Sequence, residues 1–323
     1  MTVAAVVPHW NRADLLTLLL ENLKRQSRSF DRVIVADNGS VDDSARIAEG
    51  HGAHVIRMGA NFGFAPAVNR GIKAAHCDWV VILNNDVTLD SRWLEILLEA
   101  AQRENAYFAT GKILSAARPE ILDGAFDEIA CSGCAWRCGA GKPDAAVWNQ
   151  RRRIRIAPMT AALFRRSLFD RVGLLDERFE SYLEDVDFGI RCSLQGLSGI
   201  YVPEAVCWHG GSATRGAWNY DTVRQISRNQ ILLAAKYLRE QPRWPIVAGR
   251  LLWGLVALRH GRLFPYLAGR LQGRLHSPAP AAQRPAPGAV RVLLEESERT
   301  IFELQQQSGF DLYWRIYFWL LQR

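Results

Sequence analysis

Two acidic clusters and one histidine have residue types and spacings that can do chemistry. Asn84-Asn85-Asp86 closes a short apolar run, and Glu184-Asp185-Val186-Asp187 opens a helical pattern. His209 stands in Trp208-His209-Gly210-Gly211, just past an expected strand. A hard divalent cation takes oxygen ligands, commonly one or two carboxylates with substrate phosphates, so Asp86 can hold a metal that also grips a diphosphate. His209 is a candidate second ligand; a lone histidine near a turn is also a common surface or core residue. For the second acidic cluster, the structural reading is a helix N-terminus, where negative charge is favoured. The chemical reading is a general base that takes the proton of an attacking hydroxyl. Asp37 ends another apolar run. An aspartate at a strand end is also good turn chemistry, but two of them on one sheet favour a site. Cys131, Cys134 and Cys138 are spaced like part of a zinc site, yet no fourth Cys or His lies nearby. Unligated thiols in an acceptor-side loop are the expectation.

The elements that must position these groups alternate. Val3–Val7 reads as a strand ended by Pro8, with Asn11 as cap of a helix carrying Leu15, Leu16, Leu19, Leu20 and Leu23 on one face. Arg32–Ala36, His54–Arg57 and Trp79–Leu83 read as further strands, the last closing at Asp86. Asn61–Pro66 reads as a loop, Val68–Ala75 as a helix, and Asp90 starts another. This alternation predicts a parallel sheet covered by helices on both faces, with ligands at the carboxyl ends of the strands. From Thr110 to Val206 the pattern is less regular. Arg118–Gln150 reads as loops with short strands, Arg151–Phe164 as a strand pair, Leu168–Arg171 and Glu184–Gln195 as helices, and Gly199–Val202 as a strand.

At 323 residues, two domains, or one large domain with an appendage, are expected. With 49% apolar and 23% charged residues, the chain can build a core, which excludes wholesale disorder. The net charge of +7 favours anionic partners. Six cysteines are too sparse for a disulfide scaffold. The start lacks a basic segment before its apolar run, so no signal peptide is expected, and a cytoplasmic location follows. No acidic residue occurs between Glu240 and Glu295, where Arg243, Arg250, Arg259, Arg262, Arg270 and Arg274 alternate with Trp, Phe, Tyr and Leu. Such a segment fits an interfacial helix beside anionic lipid. It equally fits a helical cap or a homodimer face. The expected divisions are 1–215, a basic helical region 216–276, a Pro/Ala linker 277–289 and a helical segment 290–323.

Taken in order, several stretches resemble the family 2, GT-A-fold inverting glycosyltransferases, nearest the bacterial rhamnosyltransferase-like branch. They are Val6-Val7-Pro8-His9-Trp10-Asn11-Arg12, Val35-Ala36-Asp37-Asn38-Gly39-Ser40-Val41-Asp42, Asn61-Phe62-Gly63-Phe64-Ala65-Pro66-Ala67-Val68-Asn69-Arg70-Gly71, Leu83-Asn84-Asn85-Asp86, Gly173-Leu174-Leu175-Asp176-Glu177-Arg178-Phe179, and Tyr182-Leu183-Glu184-Asp185-Val186-Asp187 running on to His209. The resemblance implies a doubly wound, mostly parallel GT-A sheet with helices on both faces and a C-terminal helical extension. It implies a nucleotide-sugar site of Pro8, Trp10, Asn11, Asp37, Asn61, Asn69, Asn85 and Asp86, with Asp37 at the nucleobase and Asn61 and Asn69 lining the pocket. It implies Mn2+ or Mg2+ on Asp86 and His209, and Asp185 as catalytic base. Arg228-Asn229 resembles a basic spot that follows the catalytic domain in relatives. His9-Trp10 departs from the Tyr or Phe that relatives usually carry before Asn11. Ala157–Leu163 departs too, standing where relatives often have a glycine.

The implied partners are a nucleotide-sugar donor, with dTDP-rhamnose first and UDP-sugars next, and a glycan or lipid-linked glycan acceptor. An anionic membrane surface on the inner face of the cell membrane suits such an acceptor. No nucleic-acid module is present. A catalytically silent GT-A-like assembly subunit is the alternative, and a nucleotidyltransferase is disfavoured because Pro8–Arg12 is not a Gly/Arg/Lys-rich phosphate loop.

Overall fold

The computed structural model describes residues 1–211, 218–275 and 288–322. The chain starts with β1 (Val3–His9), α1 (Ala13–Lys24), β2 (Arg32–Asp37), α2 (Ser44–Gly50), β3 (His54–Arg57), α3 (Phe64–Ala74) and β4 (Trp79–Leu83). Next come β5 (Val87–Leu89), α4 (Trp93–Arg103), β6 (Phe108–Ser115), β7 (Leu122–Gly124), β8 (Asp127–Ile129) and β9 (Ala135–Arg137). They are followed by β10 (Arg152–Ile154), β11 (Ala161–Arg165), α5 (Arg166–Val172), α6 (Glu184–Ser193) and β12 (Gly199–His209). Five helices close the order: α7 (Tyr220–Tyr237), α8 (Arg243–Arg259), α9 (Leu263–Leu275), α10 (Ala289–Ser308) and α11 (Leu312–Leu320). The chain divides into two compact units, Met1–Phe126 with Gly139–Thr214, and Asp127–Cys138 with Arg215–Arg323.

The first unit is built on one mixed sheet with strand order β10-β12-β6-β11-β4-β1-β2-β3. The expected parallel block is β4-β1-β2-β3. β4 is buried at all five positions, as a strand covered on both faces must be. α1 buries Leu16, Leu19, Leu20 and Leu23, and these join β1 and α4 residues in one core. β11 runs antiparallel between β4 and β6.

Several expectations are corrected. Arg151–Phe164 does not form a strand pair with itself: β10 pairs with β12, while β11 pairs with β4 and β6. The strand begun at Gly199 does not stop at Val202. Its register on β6 slips between Val202 and Val206, around Pro203, and it continues to His209. A proline has no N–H for the ladder and is carried by such an irregularity. α3 starts at Phe64, earlier than expected, because proline is tolerated in a first helical turn. Asn11 does not cap α1: Arg12 precedes it in a left-handed conformation, and Asn11 Oδ1 instead accepts from the Val41 N–H at 3.0 Å.

The second unit is helical apart from the β8–β9 hairpin. The hairpin is sewn to α10: the Ile129 N–H donates to Ser297 Oγ and the Cys131 N–H to Glu298 Oε2, each at 2.7 Å. Glu298 also accepts from Tyr317 Oη of α11 at 3.0 Å. Cys131, Cys134 and Cys138 are buried thiols of this unit and form no disulfide. The expected linker 277–289 falls largely outside the described residues.

Gly63 caps α3 with φ 97°, and its amide neighbours are tied to a distant segment. The Phe64 N–H donates to Ser181 Oγ at 3.0 Å and the Ala65 N–H to the Glu180 carbonyl at 2.7 Å. A Cβ at Gly63 would stand 2.9 Å from that carbonyl. Gly63→Ala should therefore lower the unfolding free energy by about 1–3 kcal/mol, since strain and clash act together. Denaturant titration checks this; a loss under about 0.5 kcal/mol would mean the loop relaxes freely.

Candidate active site

The carboxyl ends of β1 and β2 lie side by side, with His9 opposite Asp37 in register. In open α/β sheets this edge is where ligands bind. His9 is only 2% exposed. Asn85 Nδ2 meets its Nδ1 at 3.0 Å, and Ser44 Oγ meets its Nε2 at 2.8 Å. An amide nitrogen only donates, so Nδ1 accepts and the proton sits on Nε2, which donates to Ser44. Ser44 in turn donates to Asp42 Oδ1. The turn after Asn84-Asn85 is thereby linked across β1 to the start of α2. Burial pulls the His9 pKa from 6.5 down to about 4 against the attraction of Asp37, Asp42 and Asp14.

Asp37 accepts from the Ser40 N–H at 3.1 Å and is 5% exposed. Asn38 donates to Asn61 Oδ1 at 3.0 Å and to the Gly63 carbonyl at 2.9 Å, so the 61–63 loop is anchored at the end of β2. Asn11 and Arg12 both have positive φ, and the Asn11 N–H donates to Ser40 Oγ at 2.8 Å. Trp10 is 36% exposed beside them in sequence.

Asp86 lies in the turn between β4 and β5 rather than at the strand end. β5 pairs with β12 so that Val87 faces His209. His209 Nε2 stands 3.2 Å from Asp86 Oδ1, and its Nδ1 stands 2.9 Å from Asp123 Oδ2. The Gly210 N–H closes the contact on the Asp86 carbonyl at 2.8 Å. Burial works against charge on His209, but the hydrogen bonds it donates to Asp123 and Asp86 outweigh it and push its pKa up to about 9. Once the Nε2 proton implied by this raised pKa has left, a carboxylate and an imidazole nitrogen that meet in this way can hold Mn2+ or Mg2+. Asp123 holds the other ring nitrogen, the usual arrangement behind a ligating histidine. Among the described residues, no three His, Cys, Asp or Glu side chains surround a common point as a metal cage.

Asp185 sits in the first turn of α6 and its Oδ1 accepts from the Val186 N–H at 2.8 Å. Glu180, Tyr182 and Leu183, just before it, all have positive φ. Such strain persists only where surroundings over-determine it. Here Glu180 and Ser181 are bonded to α3. Farther along α6, Arg191 pairs with Asp187 at 3.0 Å and donates to the Val172 and Leu174 carbonyls at 2.9 Å.

Asn69 is placed differently from expectation. It is 1% exposed, and its amide bonds the Leu175 carbonyl and Glu177 Oε1 while accepting from the Leu175 N–H. The buried amide holds the 175–177 segment. Arg228 and Asn229 lie buried on α7, within the second unit. Asp123 and Ser44 escaped the sequence reading. Asp123 stands in a stretch read as loops with short strands.

His9 gives the site a pH signature. It is neutral when folded but takes up a proton below pH 6.5 when unfolded. The unfolded state thus binds more protons between pH 6.5 and about 4, and stability falls as pH drops through that window, by roughly 2–4 kcal/mol at its acid end. Denaturant midpoints of wild type and His9→Gln at neutral pH and near pH 4 read this directly. The variant should lose less stability on acidification; equal losses would mean that His9 is not held neutral.

The model of glycosyl transferase family 2 matches residues 4–173. Over 208 residues the chain is 30% identical to the N-acetylglucosaminyl-diphospho-decaprenol L-rhamnosyltransferase of Mycobacterium tuberculosis, covering 57% of this chain and 68% of that protein. An O-antigen biosynthesis protein of Myxococcus xanthus is 28% identical over 228 residues, 67% of this chain and 18% of its own length. Among solved structures, GalNAc-T7 with UDP, GalNAc and Mn2+ superposes with a TM-score of 0.63 at 14% identity, over 96% of this chain and 58% of that one. The mannosyltransferase PcManGT of Pyrobaculum calidifontis, in complex with GDP-Man and Mn2+, gives 0.54 at 17% identity, over 98% and 85%. With its strand-end carboxylates, mixed sheet and match over more than half its length, the chain belongs to glycosyl transferase family 2 and is a GT-A-fold glycosyltransferase.

Proposed function

We propose that this chain is a metal-dependent inverting enzyme. It transfers a sugar to a hydroxyl of a glycan or lipid-linked glycan, working at the cytoplasmic face of a membrane. The observation that carries the reading is the meeting of Asp86 and His209 at the end of the sheet. L-Rhamnose from dTDP-rhamnose is the first donor, supported by the name of the mycobacterial relative, and a UDP-sugar is the next. The same name supports a polyprenyl-diphosphate-linked acceptor. Mn2+ in the complexes of both structural neighbours supports a divalent cation.

In this reading Asp37 receives the nucleobase. Pro8, Trp10, Asn11, Asn61 and Asn85 border the nucleotide sugar. Asn69 holds the segment that leads to the base. Asp86 and His209 hold the cation, which supplies positive charge to the leaving diphosphate. Asp123 keeps His209 turned toward Asp86. Asp185 takes the proton of the acceptor hydroxyl as that oxygen attacks the anomeric carbon from the face opposite the diphosphate, and the centre inverts. No covalent intermediate on the protein is required. Intact Asp86, Asp185 and His209 speak against a silent assembly subunit.

Asp185→Asn should cut turnover by about 10²–10⁴-fold while leaving the donor dissociation constant within about threefold. Full activity in that variant would remove Asp185 from the role of base. Turnover should vanish with chelator and return with Mn2+ or Mg2+. His209→Ala should raise the cation concentration for half-maximal rate by about 10–100-fold. Undiminished turnover in chelator would end the metal reading. Wild-type protein that transfers nothing from dTDP-, UDP- or GDP-sugars would favour the silent subunit.

A further inference from the structure

The second unit holds a pocket of about 390 Å³ lined by Arg239, Arg243, Arg250 and Arg274, with Leu238 and Ile246 in its apolar wall. No lining residue is acidic. Arg224 and Arg291 of the same unit are paired with Asp221 and Glu295, but among the described residues none of the four pocket arginines has a carboxylate within ion-pair distance. Burial lowers the pKa of Arg250, and the charges of Arg270 and Arg274 lower it further. Like charges gathered around a cavity without counter-charge are a built anion site. The first turn of α8, which forms one side, adds the positive end of a helix.

The walls of this site continue into apolar surface. On α8, Trp244, Val247, Leu251, Leu255 and Leu258 are 43–61% exposed. At about 100° per residue they fall within about 80° of arc. Val247 also lines the pocket, so the row starts at its rim. On α9, Phe264, Leu267, Leu271 and Leu275 are 54–74% exposed. The other side of α9 lies against α7, so close that a Cβ at Gly269 or Gly273 would strike the Arg224 or Arg228 carbonyl. Trp244 Nε1 donates to the Leu320 carbonyl at 3.3 Å, beside Trp319, which is 74% exposed. No described helix is long and apolar enough to cross a membrane.

We propose that the arginine pocket seats the phosphate of an anionic lipid headgroup while the apolar rows of α8 and α9 enter the bilayer interface. A soluble phosphate would satisfy the arginines but leave both rows in water. A nucleic acid would do the same. A lipid satisfies both at once, and tryptophans at the helix ends suit the interfacial zone. The surface lies within the second unit and does not rest on the proposed donor, metal or acceptor.

Co-sedimentation of the full chain with vesicles tests it, using phosphatidylcholine with and without phosphatidylglycerol. Binding should require phosphatidylglycerol and weaken with salt. Arg239→Gln/Arg243→Gln, at exposed positions, should weaken it roughly tenfold or more. Leu251→Ser/Leu255→Ser should abolish it, while Arg103→Gln on the first unit should bind as wild type. Circular dichroism and thermal melting select the folded variants for comparison. Equal binding to both vesicle types, or unchanged binding by the arginine pair, would overturn the proposal. So would inorganic phosphate or single-stranded RNA binding to the arginine pocket with no vesicle association.

Discussion

The register between β5 and β12 is the constraint on which the site depends. Side chains alternate across a strand, so a slip of one residue would turn His209 to the other face and part it from Asp86. The register is set from both directions. β12 is held on β6 by residues 206–209, and the slip around Pro203 decides which residue arrives at the end. β5 is only three residues long, yet its ladder runs from Leu89 to Val87 against Cys207 to His209, and the Gly210 amide closes it on Asp86. Cys207 is fully buried in the core and cannot shift without opening it. A histidine far along the chain is thus placed by packing, with Asp123 fixing its ring from behind.

The segment carrying Asp185 is held on another principle. Three residues before it sit in left-handed backbone, each disfavoured for a side chain. What holds them is a set of polar ties to α3 and to the 172–174 turn, through Ser181, Glu180 and Arg191. Asn69 belongs to the same set. These bonds fix the approach of α6. The site therefore combines a rigid part, drawn from strand ends, with a strained part whose geometry depends on loops.

Much of this was legible in the sequence where local chemistry decides it. β4 lies where its apolar run puts it, because a strand buried on both faces needs an unbroken run. Asp86 and Asp185 stood out because carboxylates clustered at element ends are rare without reason. The rest depended on contacts between distant residues. β6 carries Gly and Lys in its middle and showed no run, though it lies at the heart of the sheet. Asp123 looked like any loop aspartate until β7 brought it to His209. Asn69 sits inside a motif, and no motif says whether an amide faces a ligand or a neighbouring loop. The β8–β9 hairpin leaves the first unit because Ile129 and Cys131 find partners on α10, more than 160 residues on.

Charge divides the two units and explains their different needs. In the first, carboxylates at element ends are satisfied by backbone amides and hydroxyls: Asp37 by Ser40, Asp42 by Ser44, Asp185 by Val186. Such donors keep a carboxylate in place but do not cancel its charge for an incoming anion. In the proposed reading a nucleoside diphosphate at that edge needs a positive partner, and Asp86 with His209 is where one is held. In the second unit the reverse holds. Its arginines face a cavity with no acid among them, so an anion can enter directly with no cation between. The excess positive charge of the chain is concentrated there, beside apolar rows that no described element covers. In the proposed reading one fold edge receives an anion through a metal, and the helical unit receives one against bare guanidinium groups.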